Sequence, residues 1–233
     1  MVDFTILVPV FEETRALAFS KFHFDRLGLR PIYVLDSKRI ARRDEVERLL
    51  GREVLVYENP ERFLEANFAK FTALSPTDWI LRIDCDEAVT PALLEHARNY
   101  ASGGRWAVKG YERRQLRWHE DGFQYVKRAF HRDTQFRLCD RRKVRFTPKI
   151  HTPGFHVPRL LRSPAPTEAR IYHLQFLFET PEQREKKGEL YKSQGQPKSL
   201  DSFYTTPVEK FNWAPLDDAD LTATYRAWCD GDA

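Results

Sequence analysis

The chain has 233 residues, 42% of them hydrophobic, enough for one sizeable core in a folded globular protein. No apolar run approaches the ~20 residues of a membrane span, and Cys85, Cys139 and Cys229 are too far apart for a disulfide framework or a zinc spacing. The N-terminus, MVDFTILVPV, lacks the basic region of a signal peptide, so the expectation is a cytoplasmic protein.

The first hundred residues alternate strand and helix patterns. Residues 4–10 form an apolar run. Residues 12–27 can bury Ala16, Leu17, Ala18, Phe19 and Phe22 on a helical face, and Gly28 ends the helix. Residues 31–35 read as a second strand, 44–50 as a short helix closed by Gly51, and 53–57 as a third strand. Residues 61–74 read as a helix and 79–83 as a fourth strand. Thr90 is a natural N-cap and Pro91 a natural first residue for a helix over 91–100. Strands separated by helices predict an α/β, Rossmann-type fold with a mostly parallel sheet flanked by helices.

After Gly103-Gly104 the pattern changes. Residues 106–111, 124–130, 134–139 and 143–146 are short and mix polar with aromatic side chains, as antiparallel or edge strands do. Residues 169–178 read as a further strand, 181–191 as a charged helix, 192–215 as a polar loop or lid, and 221–228 as a last helix. The expected organisation is a single domain over 1–233, with a nucleotide-binding half (1–104), a smaller mixed half (105–191) and a loop-rich tail (192–233).

Net charge is +4, from 38 Lys and Arg against 34 Asp and Glu. It is concentrated in residues 105–149, which hold fourteen basic and five acidic side chains. Such a segment suits phosphates, an anionic acceptor or a peripheral membrane contact, or else is a solvated basic face. It contains no recognised nucleic-acid motif, so no nucleic-acid partner is expected.

The stretch DWILRIDCDEAVTP, residues 78–91, carries the main chemical signal. It runs an apolar strand into Asp84, Asp86 and Glu87, then into the capped helix. The acids therefore fall on a strand-to-helix loop, the ligand edge of an open α/β sheet. On an extended strand end, Asp84 and Asp86 would face the same way, and paired carboxylates there suit Mn2+ or Mg2+ together with a substrate phosphate.

These residues resemble a family-2 glycosyltransferase of GT-A fold. The likeness lies in ILVPVFEE, VLDSKR and RIDCDEAVTP, and later in FRLCDRRKVRFTPKIH and IYHLQF, which are similar to a sub-group that modifies lipopolysaccharide cores and other glycans. The resemblance implies a donor pocket lined by Pro9, Val10 and Phe11, with Glu12 near the base or ribose, Asp36 on the base and Asn67 facing the donor. It implies Asp84 near ribose and metal, with Cys85 between the acids, Asp86 on the metal, and His173 as a third ligand. The donor would be a UDP- or GDP-linked sugar, and the acceptor an unknown hydroxyl, with an anionic glycan or a lipid-linked sugar as the candidates.

The family's usual acidic pair for the catalytic base is not evident. His151, Glu120 and Asp121 are the candidates, although Glu120 and Asp121 lie in WHEDG, which reads more simply as a hairpin turn. Lys70, Arg141, Arg142 and Lys143 are candidate phosphate contacts or plain surface charge. The activity expected is metal-dependent inverting sugar transfer. A non-catalytic nucleotide-sugar-binding protein on the same fold is the alternative, and a haloacid-dehalogenase-type phosphatase is the weaker third reading.

Overall fold

The computed structural model describes residues 3–10, 14–60, 63–104, 106–127, 133–148, 153–157, 165–193 and 204–231. Four strands form a parallel sheet in the order β3-β2-β1-β4: β1 (Phe4–Val10), β2 (Ile32–Asp36), β3 (Leu55–Tyr57) and β4 (Trp79–Arg82). The expected α/β architecture is therefore present. Both faces of β1 are buried, as in a sheet covered by helices on two sides. Ile6, Val8 and Val10 pack with Ala16, Leu17 and Phe24 of α1 (Thr14–Arg26), whereas Leu7 packs with Phe68 and Phe71 of α3 (Phe68–Ala73).

The short helix α2 (Arg43–Leu50) ends at Gly51 with φ of 62°, a left-handed position that glycine adopts without a Cβ penalty. The helix expected over 61–74 is broken. A 3-10 turn, Leu64–Asn67, precedes α3, and Asn67 itself is non-helical with its amide donating to Asn59 Oδ1 at 2.8 Å. The capped helix α4 (Pro91–Gly103) forms as expected, with Leu93 N donating to Thr90 Oγ1 at 3.2 Å.

The second half extends the sheet with antiparallel pairings. β8 (Thr134–Asp140) runs against β4, and the first part of β6 (Val108–His119) runs against β8. A bulge at Lys109/Gly110 bends β6; a Cβ at Gly110 would meet Thr134 Cγ2 at 2.7 Å. Beyond the bulge β6 outruns the parallel strands. It pairs there with β9 (Arg170–His173) in parallel and with β7 (Gly122–Val126) in a hairpin. β5 (Glu87–Val89), not foreseen in the sequence, pairs with β9.

Other boundaries shift for local reasons. Residues 143–146 do not form a strand, because Asp140 folds the chain into a turn by accepting from Arg142 N at 3.1 Å and Arg142 Nε at 3.1 Å. Residues 169–178 divide into β9 and the single turn α5 (Gln175–Phe178), followed by α6 (Pro181–Ser193). The tail is less loop-rich than its composition implies. Trp213–Pro215 forms β10 against β7, and Ala219–Cys229 forms α7, capped by Asp218. Tyr225 and Trp228 of α7 pack edge-on against Phe19 of α1 with centroids 5.9 and 5.4 Å away.

His23 of α1 sits beneath β5, buried, and its Nε2 accepts from Val89 N at 3.2 Å. Burial lowers its pKa from 6.5 to about 4, against the opposing pulls of the Val89 bond and Asp218. The unfolded chain therefore binds a proton below pH 6.5 that the folded chain refuses. The stabilisation is complete above that pH and is lost as the pH falls toward about 4. We expect His23→Gln, which cannot titrate, to remove about 3 kcal/mol of the acid-induced loss of stability between pH 7 and pH 4, measured by urea unfolding at each pH.

Candidate functional site

The parallel strands end at one edge, which brings Val10, Asp36, Tyr57 and Arg82 to the same side of the sheet. The order 3-2-1-4 reverses between β1 and β4, and the carboxyl ends at such a reversal form the ligand crevice of an open α/β sheet. The backbone explains why it opens here. β1 pairs with β4 only through Leu7, where Ile83 N donates to Leu7 O at 3.1 Å, but with β2 through Val10. Pro9, which has no N–H, lies in the segment where β1 has parted from β4.

On the β2 side, Asp36 is held by two donors: Lys38 N at 2.9 Å and Asn59 Nδ2 at 2.6 Å. Asn59 accepts in turn from Asn67 Nδ2. Thus two of the predicted donor-side residues, Asp36 and Asn67, are joined through an asparagine that the sequence reading passed over. A carboxylate offers about four acceptor positions, so Asp36 keeps capacity for a further N–H donor. Beside it, Ser37, Lys38, Glu58, Asn59 and Pro60 line an open cavity of about 350 Å³.

On the β4 side, residues 84–87 form a tight turn in which Glu87 N donates to Asp84 O at 2.9 Å and Asp84 N donates to Glu87 Oε2 at 3.0 Å. The turn separates the two acids that an extended strand would have aligned. Asp84 accepts from Arg82 Nε at 3.0 Å and from Arg137 Nη2 at 2.6 Å; Asp86 instead meets His173 Nε2 at 3.0 Å. Burial pushes both carboxyls up, but opposing charge outweighs it. Arg137 and Arg82 hold Asp84 well below the carboxylate range, and His173 holds Asp86 at about 2.

Arg137 also donates to Glu87 Oε1 at 2.5 Å, and Glu87 is fully buried. Arg113 lies 3.6 Å from the same oxygen and 3.0 Å from Asp133. Neither Arg137 nor Arg113 stood out in the sequence. The available signal for Arg137 was its place between Phe136 and Leu138 in a predicted strand, at alternate spacing with Cys139.

His173 reaches Asp86 through strand register. β5–β9 pairing sets Glu87 opposite His173, so the preceding residue, Asp86, falls beside the imidazole. β6–β9 pairing sets Gln115 opposite His173, and the two side chains meet at 2.5 Å through Gln115 Oε1 and His173 Nδ1. With the Gln115 amide oxygen as its acceptor, Nδ1 carries a proton, and Nε2 faces the Asp86 carboxylate across a gap that a proton or a cation bridges. A histidine oriented through its second nitrogen is the arrangement found around metal ligands. Among the described residues, no three His, Cys, Asp or Glu side chains converge as a ready-made metal site, since Asp84 is engaged by its arginines.

The remaining candidates fall elsewhere. Glu120 and Asp121 form the two-residue tip between β6 and β7, five residues along β6 from Gln115 and so roughly 16 Å away at ~3.3 Å per residue. Glu120 takes a left-handed φ of 52° to make that turn. The turn expected from WHEDG is present, and it keeps these carboxylates apart from Asp86. Cys85 is buried within the acid turn. Lys70 pairs with Glu58 at 3.4 Å on the surface, Arg141 donates to the carbonyls of Thr72 and Ala73, and Arg142 and Lys143 pair with Asp140. Phe11, Glu12 and His151 lie outside the described residues.

No protein-family model matches the chain, and no curated protein does. Among solved structures it is similar to residues 1–349 of TarS from S. aureus, at 9% identity and TM-score 0.44, over 88% of this chain and 69% of that one. It is also similar to the inositol-1-phosphate CTP transferase of T. maritima, at 14% identity and TM-score 0.37, over 60% and 71%. A third likeness is to CMP:2-keto-3-deoxy-manno-octonic acid synthetase with CTP, at 9% and 0.36, over 99% and 100%. At these values no activity is carried across.

The buried charges make a sharp stability test. Arg137→Met removes the nearest charge partner of buried Glu87 and leaves Arg113 at 3.6 Å. We expect a loss of about 3 kcal/mol in urea unfolding, and partial recovery when Glu87→Gln is added, because the double variant no longer buries an unpaired charge.

Proposed function

We propose that the chain is a metal-dependent inverting glycosyltransferase acting on a nucleoside-diphosphate sugar. The observation that supports this best is Asp86 and His173 at 3.0 Å, with His173 oriented by Gln115, beside the crevice between β1 and β4. In this reading Asp86 and His173 would hold Mn2+ or Mg2+, a fit supported by the hard oxygen and imidazole nitrogen they present. Such an ion, when bound, neutralises charge on a departing diphosphate.

The protein's own groups do the rest. Asp36, supported by Asn59, accepts from the nucleobase in the cleft over β2 and β3. Pro9 and Val10 border the crevice. Arg82 and Arg137 neutralise Asp84, so that this carboxylate adds no uncompensated negative charge beside the donor. The acceptor hydroxyl, giving its proton to a general base, then attacks the anomeric carbon from the side opposite the leaving group; the bond from that carbon to the nucleoside diphosphate breaks as the new one forms, through a transition state of oxocarbenium character.

His173 is not the base in this scheme. Both its ring nitrogens are engaged, one by Gln115 and one by Asp86, which leaves none to take an acceptor proton. A binding protein on the same fold is favoured by one observation: the described carboxylates proposed as base, Glu120 and Asp121, are held at a distant hairpin tip. The phosphatase reading is weaker, because Asp84, the first acid of the motif, is engaged by two guanidinium groups rather than available for attack.

The test is a thermal-shift panel of UDP, GDP, CDP and dTDP with Mn2+, Mg2+ or EDTA, followed by release of nucleoside diphosphate from the matching sugar donor. We expect one nucleotide to stabilise the protein only with metal. Asp86→Ala should abolish the metal-dependent part of the shift, and Gln115→Leu should weaken metal affinity about tenfold or more by releasing the imidazole. No nucleotide shift would reject both the transferase and the binding-protein readings. A shift without donor turnover would leave the binding protein.

A further inference from the structure

Strand β6 carries three arginines, and their surroundings differ. Arg113 pairs with Glu87 and Asp133, and Arg114 pairs with Glu112 at 3.0 Å. Arg117 has no acid within ion-pair distance among the described residues. Its Nε and Nη2 donate instead to one neutral oxygen, Gln124 Oε1, at 2.9 and 2.7 Å. Those bonds use the side edge of the guanidinium. The outer edge, between Nη1 and Nη2, keeps two parallel N–H groups with no partner among the described residues. Arg117 is half-buried, and its unbonded Nη1 is open to solvent, unlike the enclosed Nε of Arg137 or Arg184.

The guanidinium is also held in place. Its carbon lies 4.4 Å from the ring centroid of Trp213, and Trp213 Nε1 donates to Val208 O at 2.7 Å. Phe176 and Phe211 pack on the same indole, with centroids 5.6 and 6.1 Å away. Strand register brings the groups together. Arg117 stands opposite Gln124 across the β6–β7 hairpin, and Trp213 stands opposite Val126, two residues along β7 from Gln124 and so on the same face. A guanidinium tied along one edge and stacked on an aromatic face has little rotamer freedom left, so binding an oxyanion on the other edge needs little further ordering.

The same face carries Asp86 and His173. Side chains alternate along a strand, so Arg117 shares a face with Gln115, which orients His173. The two positions are about 7 Å apart along β6, at ~3.3 Å per residue. Phe176, three residues after His173 in α5, reaches the Trp213 indole, so the chain leaving His173 leads to the wall behind Arg117. A cation with its donor pair free therefore stands one step outward from the proposed metal centre.

We propose that Arg117 is the anion-binding residue of the acceptor subsite, and that the acceptor is a sugar bearing a phosphate or carboxylate group held by the outer edge of the guanidinium. Two parallel N–H donors on a planar guanidinium fit either oxyanion. The acceptor role rests on the transferase reading; the anion site itself does not.

The experiment measures binding of glucose 6-phosphate, glucuronate and glucose to the full chain by ligand-observed NMR at millimolar concentration, in EDTA so that no metal bridges ligand and protein. The nucleotide and metal panel is run on the same protein. We expect saturable binding of an acid sugar and none of glucose, the tighter of the two acid sugars identifying the group. Arg117→Met should weaken that binding at least about tenfold. Arg117→Lys, which keeps the charge but loses the fork, should fall between the native protein and Arg117→Met. Gln124→Leu, which releases the guanidinium without removing it, should weaken binding about threefold. A melting transition checks that each variant folds. No acid-sugar binding, equal binding of glucose, or unchanged affinity in a folded Arg117→Met would overturn the proposal. If that variant does not fold, unchanged affinity in Gln124→Leu overturns it. Acid-sugar binding without nucleotide binding would reject the donor reading and leave the anion site standing. Nucleotide binding without acid-sugar binding would do the reverse.

Discussion

Arg137 is the interaction on which the rest of the edge depends. It reaches from β8 to two acids of the 84–87 turn, Asp84 and buried Glu87. A buried carboxylate is costly unless paired and hydrogen-bonded. Arg137, with Arg113 3.6 Å from the same oxygen, supplies the charge that lets Glu87 occupy the first position of β5, and β5 is the strand whose pairing with β9 sets Asp86 beside His173. One buried charge pair thus helps decide where Asp86 and His173 meet.

The arrangement divides one short acidic stretch into two roles. Asp84 and Glu87 are turned into the protein and neutralised by arginine. Asp86 is left with an imidazole whose other nitrogen is engaged. The division follows from a turn that closes between Asp84 and Glu87, since in an extended chain the first and third residues would have shared a face. The long strand β6 completes the setting. Its first part belongs to the main sheet, and after the bulge at Gly110 it carries β9 and β7 beyond the sheet edge, so that Gln115 and His173 overhang the crevice.

Much of the first half was legible because its signals are local. The strand over 4–10, the Gly51 stop and the Thr90-Pro91 start each rest on periodicity or on one residue's backbone preference, and all three appear in the structure. Asp36, Asp86 and His173 could be picked out by type and place. Asn59, Gln115 and Arg137 could not, because their importance comes from partners 23, 58 and 53 residues away. The second half read poorly for the same reason. Residues 106–119 contain no turn signal that says one strand will serve three neighbours.

By itself the sequence determined that a chain of alternating strands and helices would make an α/β sheet with its acids at the ligand edge. Hydrophobic period, caps and glycine stops are properties of a few adjacent residues and need no knowledge of the rest. Only the tertiary structure decided which acid is neutralised and which is presented. It also decided that His173 is oriented by Gln115, that Glu120 and Asp121 stay at a hairpin tip, and that Arg117 is held by Gln124 and Trp213. Those outcomes depend on strand register and on the pairing of distant charges, and no local pattern encodes either.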